Sequence, residues 1–348
     1  MNRQFSALRG LAIVLVVLYH SIDMGTLAPQ GLGYPPIEGL GRYVLLVLHQ
    51  LGVFAVPTFL FISGSFAAYA AQGNPPKLTW KAIGAGLKRI LWPYLFWSIL
   101  FYIAIYIRRD EEYTFLGYLK NLVVGYPFHF IPLLVFYYTL SPILVHFARR
   151  FGGALVVVIA LYQLFLINVV FPGSLGFTSP DWARFLAPPV LSYTMAEWGL
   201  YFPLGLVYGL RAKSIMPWLQ RFRWAFLTAT SVFFVLHILH KVSLLHFPLA
   251  GHICPLTFAL LLPVIKRNSI PMVRQLEEIG KKSYGLYLSH LIVLDFVFFN
   301  IRVLVPWVLN HQILLQPLLF ILTLAIPLVV MSGMARSPTR TVYHYVFG

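Results

Sequence analysis

Charge is what this sequence has least of. Of its 348 residues only 26 are Lys or Arg and 10 are Asp or Glu, where a soluble domain carries about 25% charged residues. That shortage excludes an ordinary cytosolic enzyme and a disordered chain, because both need abundant polar sequence to face water. The net charge of +16 does not make the chain a nucleic-acid binder. A basic binding surface must face water, and with 59% hydrophobic residues there is too little polar sequence to cover a soluble core. Cysteine is nearly absent as well. Cys254 stands alone, which excludes an internal disulfide framework. Low-complexity tracts and short-period repeats are missing too, and the breaks between apolar runs are short. Residues 1–348 therefore read as one integral membrane domain with no appended soluble domain.

What is abundant is apolar sequence in long runs, and a helix needs about 20 apolar residues to cross a bilayer. The runs predict ten spans, near 8–24, 50–70, 90–107, 129–147, 151–171, 192–210, 222–240, 249–265, 283–304 and 313–333. The fold class is thus an all-α, polytopic transmembrane helical bundle. Segment 40–50 reads as a short interfacial helix, and the amphipathic stretches 113–124 and 270–281 as helices on the membrane surface. Arg9 interrupts what would be the apolar core of a signal peptide, so Leu8–Ile22 is read as a permanent span.

The few charges orient these spans. With the N-terminus inside, nineteen basic residues fall on cytoplasmic segments and seven outside. The acids Asp23, Glu38, Asp110, Glu111, Glu112 and Asp181 fall outside. This satisfies the positive-inside rule with both termini cytoplasmic, and a miscount by one helix would scramble the alternation.

Ionisable side chains at bilayer depth cost about 2.5–3.5 kcal/mol or more, so those present are candidates for function. Arg9 and His20 stand eleven residues apart in the first span, which places them within ~20° on one helix face and ~16 Å apart along it. An anion clamp below a base is one reading; a snorkelling Arg9 with His20 at the helix end is the other. In GKKSYGLYLSH, Ser283, Tyr287 and His290 share a face, and His290 lies ~12 Å beyond Ser283. Such a histidine must face the bundle interior, as packing or as a working group. Asp295 lies on a different face, so each needs a partner elsewhere. Ser63-Gly64-Ser65 permits close helix approach, Lys88 and Arg89 read as a snorkelling anchor before Pro93, and Glu197, Tyr201 and Tyr208 share one face of the sixth span. His237, His240, His246 and His252 lack nearby carboxylates or cysteines at ligand spacing, so no metal is expected.

Taken together, these segments resemble the acyltransferase-3 family of integral membrane acyltransferases. The resemblance rests on Arg9 and His20 with ten residues between them, FLFISGSF at 59–66, Lys88-Arg89 followed by Pro93-Tyr94, YFPLG at 201–205, and SYGLYLSH at 283–290. Two places depart from the family pattern. Ala85 or Gly86 stands where members often carry an earlier basic residue, and FHFIPLL, with His129, opens the fourth span where many have His-Leu-Trp-Phe-Leu. The resemblance implies transfer of an acyl group, commonly acetyl from acetyl-CoA or another acyl-CoA, onto a hydroxyl of an extracytoplasmic glycan or lipid-linked saccharide. The setting it implies is the plasma (inner) membrane of a bacterium-like cell. It implies donor binding by Arg9 and Arg89, with Lys88 beside them, and His20 as general base. His290, Tyr287 and Ser63 would orient the thioester or its oxyanion. Glu197, by its position in the outer third of the sixth span, either orients His20 or pairs with an arginine. The alternative is a polytopic transporter or flippase for a lipid-linked or anionic solute in polysaccharide export, which also uses intramembrane charges but commonly shows internal repeats. The topology is directly testable. Single cysteines at Tyr113 and at Lys213, in a Cys254→Ser background, should react with an impermeant thiol reagent from opposite faces of the membrane.

Overall fold

A computed structural model describes residues 3–71, 77–109 and 112–348. Asp110 and Glu111, two of the expected outer acids, lie outside the described residues. The described chain is helical throughout. In order its helices are α1 (Arg3–Gly31), α2 (Gly39–Gln50), α3 (Ala55–Ala70), α4 (Trp80–Arg109) and α5 (Phe115–Val124). There follow α6 (Phe130–Val170), α7 (Ser192–Trp198), α8 (Tyr201–Arg221), α9 (Arg223–Lys241) and α10 (Ala250–Leu261). The chain closes with α11 (Val273–Lys281), α12 (Ser283–Leu304), α13 (Gln312–Arg336) and α14 (Arg340–Val346).

Seven helical segments are long and apolar enough to cross a membrane: α1, Gly39–Ala70, Trp80–Ile107, α6, α9, α12 and α13. The difference from ten expected spans has local causes. Segments 129–147 and 151–171 are joined as α6, whose 41 residues would reach about 61 Å, twice a hydrocarbon core of about 30 Å. Its backbone leaves helical geometry at Phe151 (φ −127°, ψ 36°), directly after Arg149-Arg150. Segment 249–265 is regular only over the 12 residues of α10. Segment 192–210 is divided into α7 and α8, so Glu197 does not share a helix with Tyr201 and Tyr208 as its spacing predicted. The break at Gly199–Leu200 is held by α6. Gln163 accepts from Leu200 N (2.8 Å) and donates to the Ala196 carbonyl (2.9 Å), and the Tyr137 hydroxyl donates to the Gly199 carbonyl. Irregular backbone at membrane depth is tolerated where such partners satisfy it. The expected loop 211–221 is the far half of α8, beyond a second departure at Arg211 (φ −123°, ψ 24°).

The chain divides into two compact units, one of residues 1–55, 91–112 and 270–348, the other of residues 56–90 and 113–269. In the first, α1 is the central helix and packs against α2, α11, α12 and α13. Its closest partner is α11, the amphipathic stretch expected on the membrane surface, which meets α1 backbone to backbone. A Cβ on Gly10 would fall on the Leu276 carbonyl, and one on Gly280 on the Ser6 carbonyl. Small residues let the backbones meet at this distance, as is common where lipid removes the hydrophobic drive for helix association. Ser6 Oγ adds a bond to the Glu277 carbonyl (3.2 Å). Toward the other end of α1, Gly25 lies against the Gln316 side chain, whose amide donates to Thr26 Oγ1 (3.3 Å).

In the second unit α3 and α8 meet in the same manner, Gly64 against the Phe202 carbonyl and Gly205 against the Phe61 carbonyl. Ser65 Oγ reaches both the Phe61 (3.0 Å) and Gly205 (3.1 Å) carbonyls. Gly280→Ala should cost about 1–3 kcal/mol through overpacking and lower the melting temperature in detergent. Gly333→Ala, which meets open space, should not.

Candidate active site

The first unit gathers four of the eight expected site residues, Arg9, His20, Tyr287 and His290. His20 on α1 and His290 on α12 bring their ring centroids to 5.2 Å at an interplanar angle of 43°. The spacings explain how. His20 lies on the same face of α1 as Arg9, one turn beyond the buried pair Val16 and Val17, while Tyr287 and His290 fall one turn apart on α12. Tyr287 is buried with its ring 5.6 Å from His290.

His290 is wholly shielded from solvent (0% exposed). Its Nδ1 lies 2.5 Å from the Tyr287 carbonyl. A carbonyl only accepts, so Nδ1 carries the proton, and in the neutral ring Nε2 holds a lone pair. That Nε2 is buried and has no hydrogen-bond partner among the described residues. Orphan buried polar atoms are uncommon, and this one sits on the histidine beside His20.

His20 opens on a cavity of about 490 Å³ whose polar wall is His20, Asp23, Asp295 and Arg302 and whose apolar wall includes Leu294 and Phe298. That volume lies in the range of small-molecule sites. Asp295, which shares no face of α12 with His290, therefore has its place in the same cavity as His20. Sequence reading missed a further group here. His49, at the end of α2, donates from Nε2 to Asp23 Oδ1 (2.9 Å) and stacks on Tyr19 with centroids 4.0 Å apart. The signal was present in the pairing of an interfacial His-Gln with an acid one turn past His20, but it becomes visible only once α2 folds back on α1.

Arg9 is half-buried between Ser6 and Gly10, the positions at which α1 presses on α11. The remaining expected residues lie in the second unit. Ser63 is half-buried on α3, while its neighbour Ser65 makes the interhelical bond. Lys88 and Arg89 are exposed on α4. The carboxylate of Glu197 stands 4.0 Å from His252 Nδ1. His240 is engaged by its own loop, at 3.3 Å from the Leu245 carbonyl. His129 occupies the N-cap of α6 beside Tyr126.

Residues 2–332 match the acyltransferase-3 family model, described as an acyltransferase domain. The match runs over nearly the whole chain and through both units, so this chain belongs to the acyltransferase-3 family. No curated protein and no solved structure matches it. With its apolar helices, it is a membrane protein of an acyltransferase family.

The orphan nitrogen of His290 makes a prediction. His290→Gln keeps bulk and hydrogen-bonding capacity but no titrating nitrogen, and should lower acyl transfer about 10²-fold or more without collapsing thermal stability. Wild-type rates in that variant would show that the ring only packs.

Proposed function

We propose that the protein is a membrane O-acyltransferase that moves an acyl group, acetyl foremost, from cytoplasmic acyl-CoA to a hydroxyl of an extracytoplasmic or lipid-linked glycan. In this reading the chain crosses the plasma (inner) membrane ten times with both termini cytoplasmic. The observation that carries the proposal is the contact of buried His290 with His20, which lines a cavity, within a chain of an acyltransferase family.

A sugar hydroxyl attacks a thioester only as its proton leaves, and a positioned imidazole is suited to take it near neutral pH. His20, facing the cavity, takes that proton as the hydroxyl oxygen bonds to the acyl carbon. The C–S bond then breaks, and the proton passes from His20 to the departing CoA thiolate. His290 presents a lone pair rather than an N–H, so it suits the role of hydrogen-bond acceptor, steadying the proton on the His20 side of the site. Tyr287 holds the His290 tautomer through its carbonyl.

CoA is an anion, and guanidinium groups bind phosphates through charge-assisted bonds. Arg9, ~16 Å from His20 along α1, is placed to clamp phosphate while a long pantetheine arm reaches the imidazole. Arg89 and Lys88, exposed on α4, extend that role at cytoplasmic depth, and Ser63 is assigned to orienting the thioester. Glu197, paired with His252, is given no chemical step.

Purified protein in nanodiscs should transfer label from acetyl-CoA to an envelope glycan fraction. His20→Ala should abolish this, and Arg9→Ala should raise the KM for the donor at least tenfold with a smaller effect on kcat. Solute movement across vesicles without any acyl transfer would replace this reading with that of a transporter.

A further inference from the structure

The cavity wall holds a carboxylate whose geometry is fixed and whose second oxygen is unused. Asp23 lies three residues beyond His20 on α1, and both line the cavity. Its Oδ1 accepts from His49 Nε2 at 2.9 Å. The proton is on that nitrogen because the Gln50 amide, itself a donor, points at His49 Nδ1 from 3.0 Å. Neutral His49 therefore suffices, and stacking on Tyr19 holds its plane. Asp23 Oδ2 makes no hydrogen bond to the described residues. With 37% of its side chain exposed, the carboxylate stays open to a ligand.

We infer that Asp23 binds the acceptor and that His49, with Gln50, is its positioning pair, so that the site selects an acceptor with two neighbouring hydroxyls. This rests on the acyltransferase reading above. Side chains three apart on a helix stand about 5–6 Å apart at Cβ. Two adjacent hydroxyls of one sugar ring bridge such a gap through hydrogen bonds of about 2.7–2.8 Å. One hydroxyl gives its proton to His20 and becomes the nucleophile. Its neighbour donates to Asp23 Oδ2 and fixes which oxygen of the ring faces the thioester. A bond that merely stapled α2 to α1 would need no free carboxylate oxygen on the cavity side. It would also not discriminate between acceptors.

The test uses labelled acetyl-CoA as donor, the envelope glycan fraction as acceptor, and a methyl glycopyranoside and its monodeoxy form as competitors. In the wild type the diol glycoside should compete at a concentration at least about tenfold below that of the deoxy form, since a site built to bond a hydroxyl rejects its absence. Asp23→Asn should raise the acceptor KM about tenfold or more with the donor KM unchanged, and bring the ratio of the two competitors close to one. His49→Ala should do the same to a smaller degree, and His49→Gln, which restores an amide donor toward Asp23, should recover most of the loss. The inference is overturned if the competitor ratio survives Asp23→Asn, if neither glycoside competes in the wild type, if donor and acceptor KM rise together, or if His49→Gln is no better than His49→Ala. A wild type that transfers no acetyl at all overturns the acyltransferase reading, and this one with it.

Discussion

The rotational setting of α1 is the constraint on which the rest of the first unit depends. Lipid tails are as apolar as a leucine, so burial of apolar area cannot hold one transmembrane helix against another. Close backbone packing and polar contacts must do it. At one end of α1, Gly10 and Gly280 bring two backbones into direct contact, and Ser6 bonds across the same crossing. Toward the other end, Gly25 seats the Gln316 side chain, which bonds Thr26. Two fixed points on one rod leave it little freedom to turn. The face carrying His20 is thereby held toward α12 and His290, and the face carrying Asp23 toward α2 and His49.

That setting matters because the groups it brings together cannot correct themselves. A histidine in water can swap tautomers and partners at little cost. His290 has no exposed surface, and its Nδ1 donates to the Tyr287 carbonyl of its own helix. Its lone pair points wherever α12 points. In such surroundings an unmet polar atom is costly, so the Nε2 of His290 depends on the setting of the neighbouring His20 ring. Asp23 is managed in the opposite way, with one oxygen anchored by His49 and the other left to the cavity.

Legibility in the sequence follows from the range over which each feature is determined. That Arg9 shares a face with His20, and Tyr287 with His290, was readable because helical periodicity alone places them. Eight of the ten apolar runs lie in the seven helical segments long enough to cross a bilayer. What failed to read was set by contacts between distant segments. Hydropathy cannot show that Gln163 and Tyr137 hold open a break between α7 and α8, so a single span was expected there. It cannot show that the amphipathic α11 also meets α1 backbone to backbone at Gly280 and Leu276. His49 was invisible for the same reason: 26 residues separate it from Asp23, and only the return of α2 along α1 joins them.

These two kinds of feature divide the site into two kinds of work. The locally encoded residues are Arg9 with His20 and Tyr287 with His290, each pair set by the geometry of one helix. In the proposed reading they would serve the donor thioester and the removal of a proton. The groups assembled by tertiary contact, Asp23 with His49 and the far wall of Asp295, Phe298 and Arg302, lie beyond His20 on the side away from Arg9. A donor clamped at Arg9 and an acceptor held beyond His20 would approach the same imidazole from opposite ends of α1. In that reading one rigid helix would register both substrates against one base.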